Sequence, residues 1–120
     1  MSYIDSAAPT LSAPDFSAGA QRTLGQLRRR FPGAFKQVKP LALGIHEEIL
    51  ESTKISELEL VHFMTVYTRS AAYLRAQAEP GAIRVDLDGV MVEPVSDENR
   101  CYAANQLEEE LERAAIKSAG

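Results

Sequence analysis

An arginine and a tyrosine four residues apart, Arg69 and Tyr73, lie in a segment with helical periodicity. Residues at this spacing share one face of a helix. At 100° per residue, both side chains and His62 fall opposite the apolar stripe, so we expect Tyr73 to be an exposed aromatic beside a cation. An exposed ring next to a guanidinium can stack on a nucleobase and contact a phosphate. The alternative is a tyrosine ring that lies on a neighbouring loop.

A second isolated cation, Arg84, stands in the stretch PGAIRVDLDG, residues 80–89. Apolar and charged residues alternate over residues 83–87, which predicts a β-strand with its apolar side chains inward and Arg84 outward. Asp88 and Gly89 predict a type I′ turn, and the following VMV predicts the return strand. The expected hairpin therefore exposes Arg84, either as a partner of Asp86 or as a contact for an external anion.

Charge is distributed unevenly along the 120 residues, whose net charge is −4. Residues 16–46 carry six cations and no acid, whereas residues 93–112 carry seven acids and one cation. The net charge argues against a nucleic-acid partner, but a dipolar surface can bind an anion at its basic end. The alternative is that the basic and the acidic runs are both solvent-exposed helix faces, which explains the charge distribution equally well. The six cations are Arg22, Arg28, Arg29, Arg30, Lys36 and Lys39.

The apolar periodicity predicts a mainly α-helical single domain with one small β-hairpin. We expect helices over about residues 21–31, 44–52, 56–77 and 96–118, and Ser56 with Glu59 forms a capping-box pattern that marks the start of the third. Tyr67 is predicted to lie in the core. Residues 1–18 are rich in Ala, Ser and Pro and predict a mobile tail before a domain at residues 19–118. One side of the last helix is predicted to carry Cys101, Ala104, Leu107, Leu111 and Ala115.

Motifs for catalysis, cofactors and metals are missing from the sequence. It contains no phosphate-binding glycine loop and no hydrolase motif. His46 and His62 have no neighbours at metal-ligand spacing, and the single cysteine, Cys101, cannot form an internal disulfide. The amino terminus lacks the pattern of a secretion signal, and no apolar run approaches the ~20 residues that span a bilayer. We therefore expect a cytoplasmic protein with no enzymatic activity, cofactor, metal, membrane partner or small-molecule substrate.

The order of the segments RRFPGAF, KPLALGI, VYTRSAAYL, PGAIRVDLDG and QLEEELER resembles that of the ProQ/FinO domain. This family comprises bacterial RNA-binding proteins and RNA chaperones. The resemblance covers about residues 21–113, and the hairpin stretch is its most specific part. It implies a mostly helical domain whose concave face binds structured RNA, typically a hairpin with a single-stranded 3′ tail, as in terminators and small regulatory RNAs.

The resemblance implies that Tyr73, Arg84 and Lys39 lie on that RNA-binding face. It also implies a loss of phosphate contacts, since Glu57, Val61 and Thr65 stand where the family often has basic residues. Other cations, the amides of the capped helix start and the Pro-Gly turn complete the candidate RNA site. These further candidates are Arg69, Lys36, Arg28, Arg29, Arg30, Ser56 and Gly81.

Three functional hypotheses follow. The leading one is an RNA chaperone or post-transcriptional regulator that recognises small RNAs and mRNA 3′ ends by shape more than by base sequence. The second is a divergent domain that has lost RNA binding and uses its acidic carboxy-terminal helix to bind a protein. The third is an enzyme, a hypothesis that only scattered carboxylates support.

Overall fold

The computed structural model describes residues 17–119, which form six helices and a two-stranded antiparallel sheet. This confirms the mainly helical fold with a small hairpin. Residues 1–16, most of the predicted tail, and Gly120 lie outside the described residues. The elements in chain order are α1 Ala18–Arg30, α2 Pro32–Phe35, α3 Ile45–Ser52, α4 Glu57–Tyr67, α5 Ala71–Ala78, β1 Ile83–Val85, β2 Met91–Pro94 and α6 Asp97–Ala119.

Helix α1 begins at Ala18, three residues before the predicted start, because Ser17 caps it. The Ser17 Oγ accepts a hydrogen bond from the Ala20 amide at 3.2 Å. The helix buries Leu24 and Leu27 and ends where Pro32 begins α2. Its last turn carries three arginines, whose positive charges suit the negative carboxyl end of the helix dipole.

The predicted third helix is wrong in its length, because it is two helices separated at residues 68–70. The capping box at its start is confirmed: Ser56 and Glu59 bond each other's backbone amides. At the other end, the Thr68 and Ser70 hydroxyls donate to the Met64 and Tyr67 carbonyls. Such local bonds compete with helix propagation. Ser70 then caps α5 by accepting a bond from the Tyr73 amide, so the two helices do not share one continuous face.

Strand β1 is paired on both sides. Strand β2 pairs with it antiparallel, with a bulge between Arg84 and Val85. On the other side, Val85 donates its amide to the Pro40 carbonyl and accepts from the Ala42 amide, both at 2.9 Å. The residues around Leu41 thus act as a third, parallel strand, and β1 lies inside the domain instead of at an edge.

The hairpin turn differs from the predicted two-residue type. Gly89 donates its amide to the Asp86 carbonyl, which closes a turn over Leu87 and Asp88, and Gly89 itself has φ +84°. This is a three-residue loop with glycine at the left-handed position. The Asp86 carboxylate accepts the amides of Asp88 and Val90 at 2.9 Å each. It stabilises the turn, and the predicted pair with Arg84 is not formed.

Two glycines join the turn to α2 by direct backbone contact. A Cβ atom on Gly33 would lie 2.4 Å from the Asp88 carbonyl oxygen, and one on Gly89 would lie 2.7 Å from the Gly33 carbonyl oxygen. Both distances are far below van der Waals contact. Absence of both side chains is therefore what lets the hairpin pack against α2.

The core contains a cluster of aromatic rings contributed by α2, α4 and α5. Phe63 and Tyr67 stack with centroids 4.9 Å apart, and Phe35 and Tyr73 lie 5.9 Å and 5.5 Å from the Tyr67 ring. The core position of Tyr67 is confirmed. Its hydroxyl has no hydrogen-bond partner in the described part of the chain, and burial raises the pKa of this phenol well above its usual range.

Helix α6 packs against α5, but not along the predicted side. Ala103 is fully buried, whereas Cys101, Ala104, Leu111 and Ala115 are exposed and Leu107 is half-buried. In the second half of α6, Leu111 and Ile116 are 47% and 72% accessible, so this part of the helix does not bury an apolar side. No helix within residues 17–119 has the length and hydropathy to cross a membrane. Over the same residues, no three His, Cys, Asp or Glu side chains come together as a metal site.

Candidate nucleic-acid interface

A cleft of about 1070 Å³ opens between the segment 41–46, the junction of α4 with α5, and α6. It brings together Tyr73, Arg84 and Arg69, three of the residues singled out in the sequence. The α6 wall carries Tyr102, Gln106, Glu110 and Arg113. We refer to this feature as the cleft.

Tyr73 and Arg84 line the cleft as buried residues, which corrects the expectation that both are exposed. Only 4% of Tyr73 and 6% of Arg84 is accessible. Both bind the peptide groups of Leu41: its amide donates to the Tyr73 Oη at 3.0 Å, and its carbonyl accepts from the Arg84 Nη1 at 3.0 Å. Three segments distant in the sequence are thereby held together.

The break before α5 explains the position of Tyr73. A helical wheel drawn continuously from α4 assigns it to the outer face, but α5 starts anew at Ser70 and directs Tyr73 against Tyr67. The bulge explains Arg84, because it interrupts the alternation of strand faces, so Arg84 and its neighbour Val85 are both buried while Ile83 is exposed.

Tyr73 is a neutral phenol at physiological pH. Burial raises the pKa of its hydroxyl, an effect that the Leu41 amide and Arg84 oppose in part. Since the oxygen accepts the Leu41 amide, the hydroxyl hydrogen is left for donation. Tyr73 can thus supply the cleft with a hydrogen-bond donor.

Arg84 is the one charged side chain that is buried among residues 17–119. The ion pairs in this part of the chain join Arg100 to Asp97 and Arg113 to Glu110, so Arg84 has no carboxylate partner there. A buried charge without a counter-charge is costly, and an arginine has five N–H donors to satisfy. The chemistry of an unpaired guanidinium in the wall of a cleft suits an anionic ligand.

Arg69 is exposed and lines the cleft. On α6, Arg113 bonds Glu110 at 2.6 Å, which places a negative charge in the cleft as well. Tyr102 is an aromatic cleft residue that the sequence analysis missed, and 61% of it is accessible. An aromatic in the polar stretch NRCYAANQ was the signal that could have identified it.

The six lysines and arginines of residues 16–46 do not line the cleft. Arg28 donates its Nε to the Phe35 carbonyl at 3.2 Å, and Arg30 donates to the Ser52 carbonyl at 2.7 Å. These two arginines fix the end of α1 to α2 and α3. Arg29 lies with Arg22 along a shallow groove on α1. Lys36 is exposed and Lys39 half-buried.

Ser56 and Gly81 also lie outside the lining of the cleft. The Ser56 hydroxyl is engaged with Glu59, and Glu57 and Glu59 both occupy the first turn of α4. The negative charges of these acids oppose the binding of an anion at the start of α4. Gly81 has φ +78° and forms the turn that leads into β1. Its role is therefore to shape the backbone before the strand that carries Arg84.

Comparison with known proteins defines the class. The fold is that of a ProQ/FinO-like helical domain, and the family model described as "ProQ/FINO family" matches residues 18–119. The chain therefore belongs to the ProQ/FinO family.

The chain is similar to proteins named RNA chaperone ProQ. It is 31% identical over 115 residues to that of Idiomarina loihiensis, covering 90% of this chain and 55% of the relative. Identity to that of Pseudoalteromonas atlantica is 32% over 109 residues, covering 85% and 50%. The chain thus spans about half the length of these relatives.

Two solved structures have a similar fold. A ProQ homolog from Legionella pneumophila, determined by NMR, gives a TM-score of 0.64 at 31% identity and covers 78% of this chain and 83% of its own. The crystal structure of a FinO-like RNA chaperone from Neisseria meningitidis MC58 gives 0.66 at 22% identity and covers 83% of each chain. At that identity, the second match supports the fold alone.

Proposed function

We propose that this chain is an RNA-binding domain that acts as an RNA chaperone or post-transcriptional regulator in the cytoplasm. Its ligands are small RNAs and mRNA 3′ ends that carry a hairpin followed by a single-stranded 3′ tail. It works by binding, not by catalysis. Membership of the ProQ/FinO family and similarity to relatives named RNA chaperone ProQ support this function.

The observation that carries the proposal is the buried, unpaired cation in the cleft. Arg84 lies beside the neutral phenol of Tyr73, so a positive charge and a hydroxyl donor meet at one place. The end of an RNA strand offers the complementary groups, a phosphate and ribose hydroxyls. Arg69 provides a further, exposed cation for the phosphates of the adjoining RNA backbone.

Replacement of Arg84 by methionine tests this role without creating a cavity. The substitution removes a buried charge at similar volume but leaves the Leu41 carbonyl without its donor, so we expect Arg84→Met to remain folded with a loss of about 1–3 kcal/mol in urea unfolding. Binding to a hairpin with a uridine-rich 3′ tail should weaken by about tenfold or more, because charge-assisted hydrogen bonds are lost. Gel-shift titration measures the affinity.

Arg100→Met is the matched control, since Arg100 pairs with Asp97 on α6 and does not line the cleft. This variant should bind the hairpin like wild type. Equal RNA affinity of Arg84→Met and wild type would refute the assignment of Arg84.

A protein-interaction module is the second candidate, and exposed apolar residues on α4 favour it. Leu58 and Val61, three positions apart, are 85% and 53% accessible, and they follow the exposed Glu57. Salt distinguishes the two functions: binding through RNA phosphates weakens steeply as salt rises, whereas binding through apolar contacts does not.

A further inference from the structure

Tyr102 is the one exposed residue among the phenylalanines and tyrosines of residues 17–119. Phe31 is half-buried, and the other phenylalanines and tyrosines of this part of the chain lie in the core. Tyr102 is held in a fixed place, because the next residue, Ala103, is fully buried against the domain. The Gln77 side chain also donates to the Asn99 carbonyl at 3.3 Å, which ties α5 to this turn of α6. A rigid backbone thus presents an accessible ring to the cleft.

The neighbours of Tyr102 suit a nucleotide. Gln106 follows one helical turn later, lines the same cleft and carries both a donor and an acceptor. Arg69 lines the cleft from the α4–α5 junction. An aromatic surface, an amide and a cation therefore surround one space, and these groups match a base face, a base edge or ribose hydroxyl, and a phosphate.

Tyr73 cannot provide the aromatic surface. Its ring packs 5.5 Å from that of Tyr67, and only 4% of the residue is accessible. A base cannot reach the face of a ring that is enclosed in the core. The two tyrosines of the cleft consequently offer different groups: Tyr73 its hydroxyl, and Tyr102 its ring.

We propose that Tyr102 is a base-stacking residue that binds an unpaired nucleotide of the RNA 3′ tail. This inference rests on the proposed RNA-binding function and adds a second point of contact to the anion site at Arg84. Stacking on an aromatic ring accepts any base, so Tyr102 raises affinity for a single-stranded tail without selecting its sequence.

Fluorescence of an RNA hairpin with 2-aminopurine in its 3′ tail tests the proposal, because this base is quenched when it stacks on an aromatic ring. Tyr102→Ala should weaken binding by about tenfold and abolish the protein-dependent quenching. Tyr102→Phe keeps the ring and should retain both affinity and quenching. The slope of affinity against salt should be the same in all three proteins, since no phosphate contact changes.

Ile116→Ala is the control for loss of an exposed apolar residue on α6, because Ile116 is 72% accessible and does not line the cleft. It should behave as wild type. If the wild type binds the hairpin and Tyr102→Ala shows the same affinity and the same quenching, the stacking role is overturned while the proposed function stays intact. A wild-type protein that binds no hairpin would overturn the proposed function itself.

Discussion

Leu41 contributes to the cleft through its peptide groups, which hold the Tyr73 hydroxyl and the Arg84 guanidinium in place. Periodicity predicted that Tyr73 and Arg84 are exposed, and the family resemblance implied that they lie on the RNA-binding face; both are buried. Periodicity reports only whether a segment has an apolar side. It carries no information about a tyrosine whose ring is in the core and whose hydroxyl lines a cleft, or about a backbone partner more than thirty residues away.

A pair of tyrosine-to-phenylalanine changes tests the bonding state of the two buried hydroxyls. Tyr67→Phe removes a hydroxyl without a partner, so stability should be unchanged or rise by up to about 1 kcal/mol. Tyr73→Phe leaves the Leu41 amide unsatisfied and should cost about 1–3 kcal/mol. Urea unfolding followed by circular dichroism gives both values. A larger loss in Tyr67→Phe than in Tyr73→Phe would contradict the described bonds.

Among the elements, those with local signals were predictable. The capping box of α4 and the hairpin follow from residues a few positions apart. The break at residues 68–70 was missed because serine and threonine are tolerated inside helices, and only their actual bonds to preceding carbonyls reveal the interruption. The contact side of α6 was predicted wrongly because a row of apolar residues does not by itself show which side packs: Leu111 in the predicted row is exposed, whereas Ala103 outside it is fully buried.

The contact between α2 and the hairpin turn gives a prediction at this scale. Gly33→Ala places a methyl group against the Asp88 carbonyl, so the turn must move, and we expect a loss of about 2 kcal/mol in the free energy of unfolding. RNA affinity should fall as well, because the hairpin carries Arg84. Urea unfolding and gel-shift titration measure the two effects.

Gly25→Ala is the matched control on α1. The nearest atom to its added methyl group is the flexible Arg29 Nη1 at 3.7 Å. Alanine favours a helix over glycine, so this variant should be about 0.5–1 kcal/mol more stable. Destabilisation by Gly25→Ala as large as that by Gly33→Ala would argue against a specific turn contact.

Across the whole molecule, positive charge is concentrated early in the chain and negative charge late, as the sequence indicates. The structure divides the early cations among different tasks, since Arg28 and Arg30 bond backbone carbonyls while the cations of the cleft are Arg69, Arg84 and Arg113. The charge count alone could not separate these groups. Their roles in RNA binding remain predictions.

The salt dependence of RNA binding tests this division. Arg69 and Arg84, the two cleft arginines without a carboxylate partner among residues 17–119, can neutralise about two phosphates, so log affinity against log salt should have a slope of about −1.4 for a single-stranded tail. Arg69→Gln should reduce the magnitude of the slope by about 0.7, whereas Arg100→Gln should not change it. A wild-type slope steeper than about −4 would instead assign phosphate contacts to cations outside the cleft, such as Arg29 and Lys36.

The peptide of Leu41 joins partners 32 and 43 residues further along the chain. During synthesis, therefore, a nascent chain that has not yet reached the hairpin contains α1 to α5 but lacks the guanidinium that bonds the Leu41 carbonyl, because Arg84 has not been made. Under the proposed function, RNA binding through Arg84 requires β1 to be in place between the Leu41 segment and β2. A truncated translation product that ends before Arg84 would consequently be unable to compete with the complete domain for ligands of the cleft.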